Sequence, residues 1–290
     1  MLAIDGHTKL FGLIGYPVGH TLSPLIHNHL AELYGQNLVY VPLPVKEEDL
    51  KRAVEGAGAF GFGGMNVTVP YKNAVIPLCT QVDPLAAQIG SVNTLVPCEG
   101  GYKGYNTDVT GLYRAMTEDG AMIEDREVIV VGAGGVGRTV AFLMAQKKAK
   151  KVYLLNRTFE KARELADHVN AYAGKELIIP LANEDHGKIP EGKYLAVQAT
   201  SLGMSPKTEG VAIEDPAFYQ KISCGYEIIF NPAKTRFMQL VEDAGGTAYN
   251  GLKMLLYQGI DAYELWNPVK IREEDIKAIY LMMCRELGWG

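Results

Sequence analysis

The run "EVIVVGAGGVGRTVAFLMA", residues 127–145, constrains the fold of this chain more than any other stretch. An apolar, β-branched segment passes directly into a GxGxxG turn (Gly132, Gly134, Gly137) and then into a helical pattern. That is the context in which an otherwise weak pattern signals dinucleotide binding. The missing Cβ at Gly132 permits the tight turn, and at Gly134 it lets a pyrophosphate approach the backbone at the positive end of the helix. Gly135 and Val136 complete the expected cofactor loop. Further β-rich runs, "KVYLLN", "YLAVQAT" and "YEIIF", are separated by helical patterns such as "RTVAFLMAQKK" and "FEKARELADHV". Strands alternating with helices predict a parallel sheet with ligands outside the carboxyl ends of its strands.

The first hundred residues repeat the alternation. "KLFGLIGYPV" reads as a strand, "SPLIHNHLAELYG" as a helix with a Ser-Pro start and a Gly stop, and "LVYVPLPV" as a strand. "KEEDLKRAVEGAGAF" has acidic residues in its first turn and apolar residues at helical spacing, and the strand "GGMNVTVP" follows. The closing segment "EEDIKAIYLMMCREL" places Ile276, Ile279, Tyr280, Met283 and Leu287 on one stripe, which predicts a helix packed on the first domain.

Composition narrows the function classes. With 290 residues, 48% hydrophobic and 21% charged, the chain can bury two ordinary cores. A net charge of −5 offers no basic field for nucleic acid or an anionic membrane. No apolar run spans a bilayer and the start lacks a signal-peptide pattern, so a cytoplasmic protein with a small-molecule substrate is expected, as a monomer or homodimer. The four cysteines, Cys79, Cys98, Cys224 and Cys284, show no CxxC spacing and read as free buried thiols. His20, His27 and His29 lie close together, but residues two apart on a helix point in opposing directions, so no metal site is expected.

Cofactor choice is read where the second strand of the dinucleotide unit ends. A carboxylate there would bind the ribose hydroxyls of NAD, but "YLLNRTFEKA" supplies Asn156, Arg157 and Thr158. A guanidinium can fork onto a 2′-phosphate with charge-assisted hydrogen bonds of about 1.5–3 kcal/mol, so NADP (NADPH) is predicted. The plainer reading of Arg157 is a solvated residue at a helix start.

The stretches "GYPVGHTLSPLIHN", "NVTVPYK", "GSVNTL", "GYNTD", "GAGGVG", "NRT", "ATSLGM" and "GLKMLLYQ" occur in that order over nearly the whole chain. Together they resemble the shikimate dehydrogenase family, which reduces 3-dehydroshikimate with NADPH. The resemblance implies a catalytic pair of Lys72 and Asp108, the lysine giving a proton to the substrate oxygen as hydride reaches the carbonyl carbon. A free lysine titrates near 10.4, so burial and a carboxylate must tune and orient such an acid. Lys72 has the alternative of a surface cation, and Asp108 that of an N-cap for the following helix. The family pattern further points to Thr21, Ser23, Asn66, Thr68, Asn93 and Gln258 for substrate, and to Thr200, Ser201, Gly251 and Met254 for cofactor. As plainer readings, Ser23 caps the helix before Pro24, and Asn66 and Thr68 face solvent together from one strand.

Four departures bear on substrate and cofactor. Thr21 stands in "HTLSP" where the family usually has HSxSP, Phe230 where it carries a tyrosine, Gln198 for the Asn of "NATS", and Lys253 for the Gly before Met254. The expected architecture is α/β with two domains. Residues 1–109 and 250–290 form a discontinuous substrate domain on a mixed, mainly parallel sheet. Residues 110–249 form a Rossmann-type NADP domain, with a cleft between the two that closure shields from water. Alternatives are a sibling enzyme acting on quinate and a non-catalytic NADPH sensor.

Overall fold

The computed structural model describes residues 4–289. The described residues form two compact units, one of residues up to Gly111 together with Leu255 onward, the other Leu112–Met254.

In the first unit, β1 (Lys9–Gly15), α1 (Ser23–Leu33), β2 (Leu38–Pro44), α2 (Leu50–Ala59) and β3 (Gly64–Val67) make two parallel crossovers. β4 (Gln81–Val82), α3 (Pro84–Ile89), β5 (Thr94–Cys98) and β6 (Gly101–Tyr105) follow. The six strands lie in the order β2-β1-β3-β5-β6-β4, and β5 runs antiparallel to both neighbours, so the sheet is mixed as expected. α2 buries Leu50, Val54 and Ala57 in a core with Ile14, Met65, Val67 and Tyr71. The Leu, Val, Ile and Met side chains among these contribute ~1.5–3 kcal/mol each on burial.

The chain passes into the second unit within α4 (Thr107–Glu118). There β7 (Glu127–Val131), α5 (Gly135–Gln146), β8 (Lys151–Asn156), α6 (Phe159–Ala173), β9 (Ile178–Ala182), β10 (Tyr194–Gln198), α7 (Pro216–Tyr219), β11 (Ile222–Glu227), α8 (Arg236–Asp243) and β12 (Thr247–Tyr249) follow one another. All adjacent strands are parallel, in the order β12-β11-β10-β7-β8-β9. Two wound halves therefore meet at β7 and β10, where the strand order reverses and ligands of such sheets bind. β7 is buried along Val128–Val131, as a central parallel strand covered on both faces must be.

The chain returns within α9 (Leu252–Trp266), and α10 (Glu273–Glu286) belongs to the first unit. α10 buries Ile276, Ile279 and Met283, while Tyr280 and Leu287 are half-buried. It docks on α1, with the Tyr34 hydroxyl donating to Asp275 at 2.7 Å. One expected strand lies earlier than its sequence suggests: β11 runs Ile222–Glu227, so "IIF" of "YEIIF" lies in a loop. The Glu227 carboxyl group accepts from the Ile229 amide at 3.1 Å where the chain leaves the sheet. The four cysteines are free and half-buried rather than fully buried. Among the described residues no helix is long and apolar enough to cross a membrane.

Candidate active site

In the first unit β1, β3 and β6 point their carboxyl ends the same way while antiparallel β5 begins there, which sets the segments that carry most of the candidate residues at one edge of the sheet. Lys72 lies a short turn beyond β3, Thr21 and Ser23 follow β1, Asn93 precedes β5, and Asp108 follows β6.

Lys72 Nζ donates to Asp108 Oδ2 at 2.7 Å, with the two side chains 23% and 12% exposed. This is a shielded, charge-assisted contact rather than a surface pair. Asp108 is not the N-cap of α4: Asn106 Oδ1 accepts from the Val109 amide at 3.2 Å, which leaves both Asp108 oxygens for side chains. The second oxygen accepts from Asn93 Nδ2 at 2.9 Å. Asn93 is itself fixed, its Oδ1 accepting from the Thr107 amide at 2.7 Å and its Nδ2 donating to Thr107 Oγ1 at 3.0 Å.

The network continues inward. Asn66 donates to Thr94 Oγ1 at 3.1 Å and to the Asn93 carbonyl at 3.2 Å, and accepts from the Tyr40 hydroxyl at 2.8 Å. Asn66 is buried, so it does not share a solvent face with half-buried Thr68. Tyr40 stacks on His27 with ring centroids 4.2 Å apart. Burial pushes the His27 imidazole down to about 3, so it is neutral in an aromatic core. Among the described residues no three His, Cys, Asp or Glu side chains are grouped to hold a metal. Thr21 Oγ1 accepts from the Ser23 amide and donates to Ser23 Oγ, each at 3.1 Å, so Thr21 rather than Ser23 serves the start of α1. Gln258 is buried on α9, donating to the Leu255 carbonyl one turn back at 2.8 Å.

Tyr40, Thr94 and Thr107 were not singled out from sequence. Thr107 lies inside "GYNTD", whereas Tyr40 reaches Asn66 only because β2, β1 and β3 are neighbours.

In the second unit, Gly132 adopts φ of 111°, a conformation that favours glycine. A Cβ at Gly137 would stand 2.0 Å from the Gly132 carbonyl oxygen, so helix and turn pack as closely as the motif requires. Gly134 and Gly135 are exposed, and a Cβ on either would meet no protein atom, which leaves open space over the start of α5. Val136 is half-buried beside them. Asn156 Oδ1 accepts from the Ala133 amide at 3.1 Å, tying the end of β8 to the glycine turn, while Arg157 and Thr158 are exposed beyond it. Thr200 accepts from the Leu202 amide at 3.2 Å, with Ser201 exposed next to it. This arrangement fits a dinucleotide: open glycine backbone at a helix start, and a guanidinium in place of an acid at the second strand.

The departures find definite places. The Lys253 ammonium is bound by Asp119 Oδ1 at 2.5 Å and Glu118 Oε1 at 3.0 Å, while the Tyr226 hydroxyl donates to the other Asp119 oxygen at 3.2 Å. Burial pulls the Lys253 ammonium down, but these two carboxylates outweigh it and the group titrates above the usual lysine range. Gln198 is fully buried, faces Val131, Ile213, Phe218, Tyr219 and Phe237, and neither amide atom has a hydrogen-bond partner. Phe230 is half-buried in the loop after β11. Glu227 is a fully buried acid whose one signal in the sequence is its place in an apolar run.

Fold and residues thus define a two-unit α/β protein with a Rossmann-type sheet and a shielded lysine–carboxylate pair. Two family models match, the shikimate dehydrogenase substrate binding domain over residues 13–95 and shikimate / quinate 5-dehydrogenase over residues 115–183. The shikimate dehydrogenase (NADP(+)) of Moorella thermoacetica is 41% identical over 270 residues, covering 92% of this chain and 90% of the relative. A shikimate dehydrogenase crystallised with NADP+ superposes with a TM-score of 0.87 at 32% identity, over 97% of both chains. The quinate dehydrogenase of Corynebacterium glutamicum, crystallised with NAD, gives 0.84 at 29% identity over 95% of this chain and 99% of that one. The chain belongs to the shikimate dehydrogenase family.

Proposed function

We propose that the protein catalyses the reversible reduction of 3-dehydroshikimate to shikimate with NADPH, using Lys72 and Asp108 as its acid–base pair. The observation that carries this reading is the 2.7 Å Lys72–Asp108 contact, completed by Asn93 on the second carboxylate oxygen. The names of the Moorella relative and of the NADP+ complex support the cofactor and reaction.

Bound NADPH supplies the hydride that reaches the carbonyl carbon. Lys72 gives a proton to the carbonyl oxygen as negative charge develops there, and in the reverse direction takes it from the hydroxyl. Asp108 aims the ammonium, and Asn93 holds Asp108 so that one oxygen always faces Lys72. Thr21, Ser23, Asn66, Thr68, Asn93 and Gln258 recognise the hydroxyls and carboxylate of the ring acid, with Asn66 and Asn93 doubling as links that support the pair. A polar site of this kind rejects analogues that leave its groups unpaired. Gly132, Gly134, Gly135, Val136 and Gly137 would hold the pyrophosphate, Asn156, Arg157 and Thr158 the 2′-phosphate end, and Thr200, Ser201, Gly251 and Met254 the remainder of the cofactor.

A second reading, quinate in place of shikimate, draws on Thr21, on the hydroxyl missing at Phe230 and on the fold shared with a quinate dehydrogenase. NADPH oxidation at 340 nm with 3-dehydroshikimate, run beside shikimate and quinate oxidation with NADP and with NAD, separates the two. NADP-linked turnover of shikimate well above quinate is expected. Preference for quinate with NAD would transfer the assignment to the second reading, and NADPH binding without turnover would leave a sensor.

A further inference from the structure

Glu227, at the carboxyl end of β11, is fully buried, and its bonded neighbours are an amide and a hydroxyl rather than a cation. Its carboxyl group accepts from the Ile229 amide at 3.1 Å and from Thr235 Oγ1 at 2.8 Å. These two partners stand at opposite ends of the loop 228–235, so one side chain closes that loop upon itself. Thr235 is also the N-cap of α8, accepting from the Met238 amide at 3.4 Å.

The loop is bonded to three further segments. The Ile228 amide donates to the Gln198 carbonyl at 3.1 Å, and the Ser205 amide donates to the Asn231 carbonyl at 3.1 Å. On the third side, the Gly251 amide donates to the Ile229 carbonyl at 3.0 Å, and Asn250 Nδ2 donates to the Ala233 carbonyl at 3.1 Å. Asn250 in turn accepts from the Leu252 amide at 3.0 Å, capping α9. The approach at Gly251 is so close that a Cβ there would fall 1.9 Å from the Ile228 carbonyl oxygen. Gly251 and the start of α9 therefore take their position from the loop, and the loop takes its shape from Glu227.

We infer that Glu227 is a positioning residue for NADPH, acting through the Ile229 carbonyl on Gly251 and Met254. The inference rests on the assignment of Gly251 and Met254 to the cofactor. Burial also pushes the Glu227 carboxyl up to about 8, so near neutrality it is an uncharged acid whose oxygens accept from the Ile229 amide and the Thr235 hydroxyl. A glutamine keeps an oxygen for the Ile229 amide and sets an amide donor against the Thr235 hydroxyl, which can accept it, whereas a methionine of similar length leaves the Ile229 amide and Thr235 hydroxyl without their partner.

The test compares E227M, E227Q and T235V with the unsubstituted protein and with M254A, by NADP+ titration and by KM for NADPH and for shikimate. E227M and T235V are expected to weaken NADP+ and raise its KM about tenfold, the loss of one to two hydrogen bonds. KM for shikimate should stay within about twofold, and E227Q should recover most of the affinity. Unchanged NADP+ binding in E227M and T235V, while M254A weakens it, would overturn the inference and leave the cofactor assignment standing. Unchanged binding in M254A would overturn the assignment itself. Equal losses for cofactor and shikimate, or no recovery in E227Q, would reduce Glu227 to a general stabilising role. Should E227M not fold, T235V and E227Q decide between these outcomes.

Discussion

Gln198→Met is expected to make the protein more stable. Gln198 is fully buried, and it lines a small void together with Val131, Val211, Ala212, Ile213, Phe218, Tyr219 and Phe237. Neither its amide oxygen nor its amide nitrogen is paired. A buried polar group without a partner costs about 1–3 kcal/mol, and methionine replaces glutamine at similar volume with a repacking cost below about 1.5 kcal/mol. The net gain is on the order of 1–2 kcal/mol, which raises a melting transition by about 2–4 °C per kcal/mol in a unit of this size. Urea unfolding followed by circular dichroism reads the gain, and NADP+ titration of the same variant should show no change. A variant that is less stable, or that binds NADP+ several-fold more weakly, would refute the reasoning, because the amide would then have a partner.

Three further outcomes follow from the geometry. Asp108→Asn removes one charge from the 2.7 Å contact with Lys72, and the lost charge-assisted bond of about 1.5–3 kcal/mol should lower kcat roughly 10- to 150-fold in the NADPH oxidation assay. Arg157→Ala should weaken NADP+ by a similar factor while leaving NAD binding nearly unchanged, as isothermal titration with both nucleotides would register. For Glu227 the native carboxyl is raised from 4.5 to about 8 by burial, so between those values the folded protein holds a proton that the unfolded chain has released. Its contribution is complete below the lower value and declines as pH rises toward the upper one, at up to about 1.4 kcal/mol per pH unit. Denaturant titrations across that window should show a shallower decline for Glu227→Gln.

Much of this was legible because it is local. The glycine turn, the strand before it and the helix after it are adjacent in sequence, and the period of "EVIVV" and "KVYLLN" places their side chains without reference to anything distant. Lys72 and Asp108 were recognisable from the company of ordered motifs, but their contact depends on β3 and β6 ending at the same edge. What stayed hidden depends on strand order or chain crossings. Tyr40 reaches Asn66 across β1, and Lys253 is neutralised by residues 134 and 135 positions earlier in the chain. Glu227 was hidden differently: an acid in an apolar run signals that something is unusual, but its effect, ending the strand and closing the loop, required the positions of Ile229 and Thr235.

The proposed function stands or falls on proton delivery by Lys72, with cofactor binding residing elsewhere. Single-turnover reduction of 3-dehydroshikimate by enzyme-bound NADPH, with Lys72→Ala beside the unsubstituted protein, tests it directly. A rate lower by about 10²- to 10⁴-fold is expected, with NADPH affinity within twofold. An unchanged rate in the variant would contradict it.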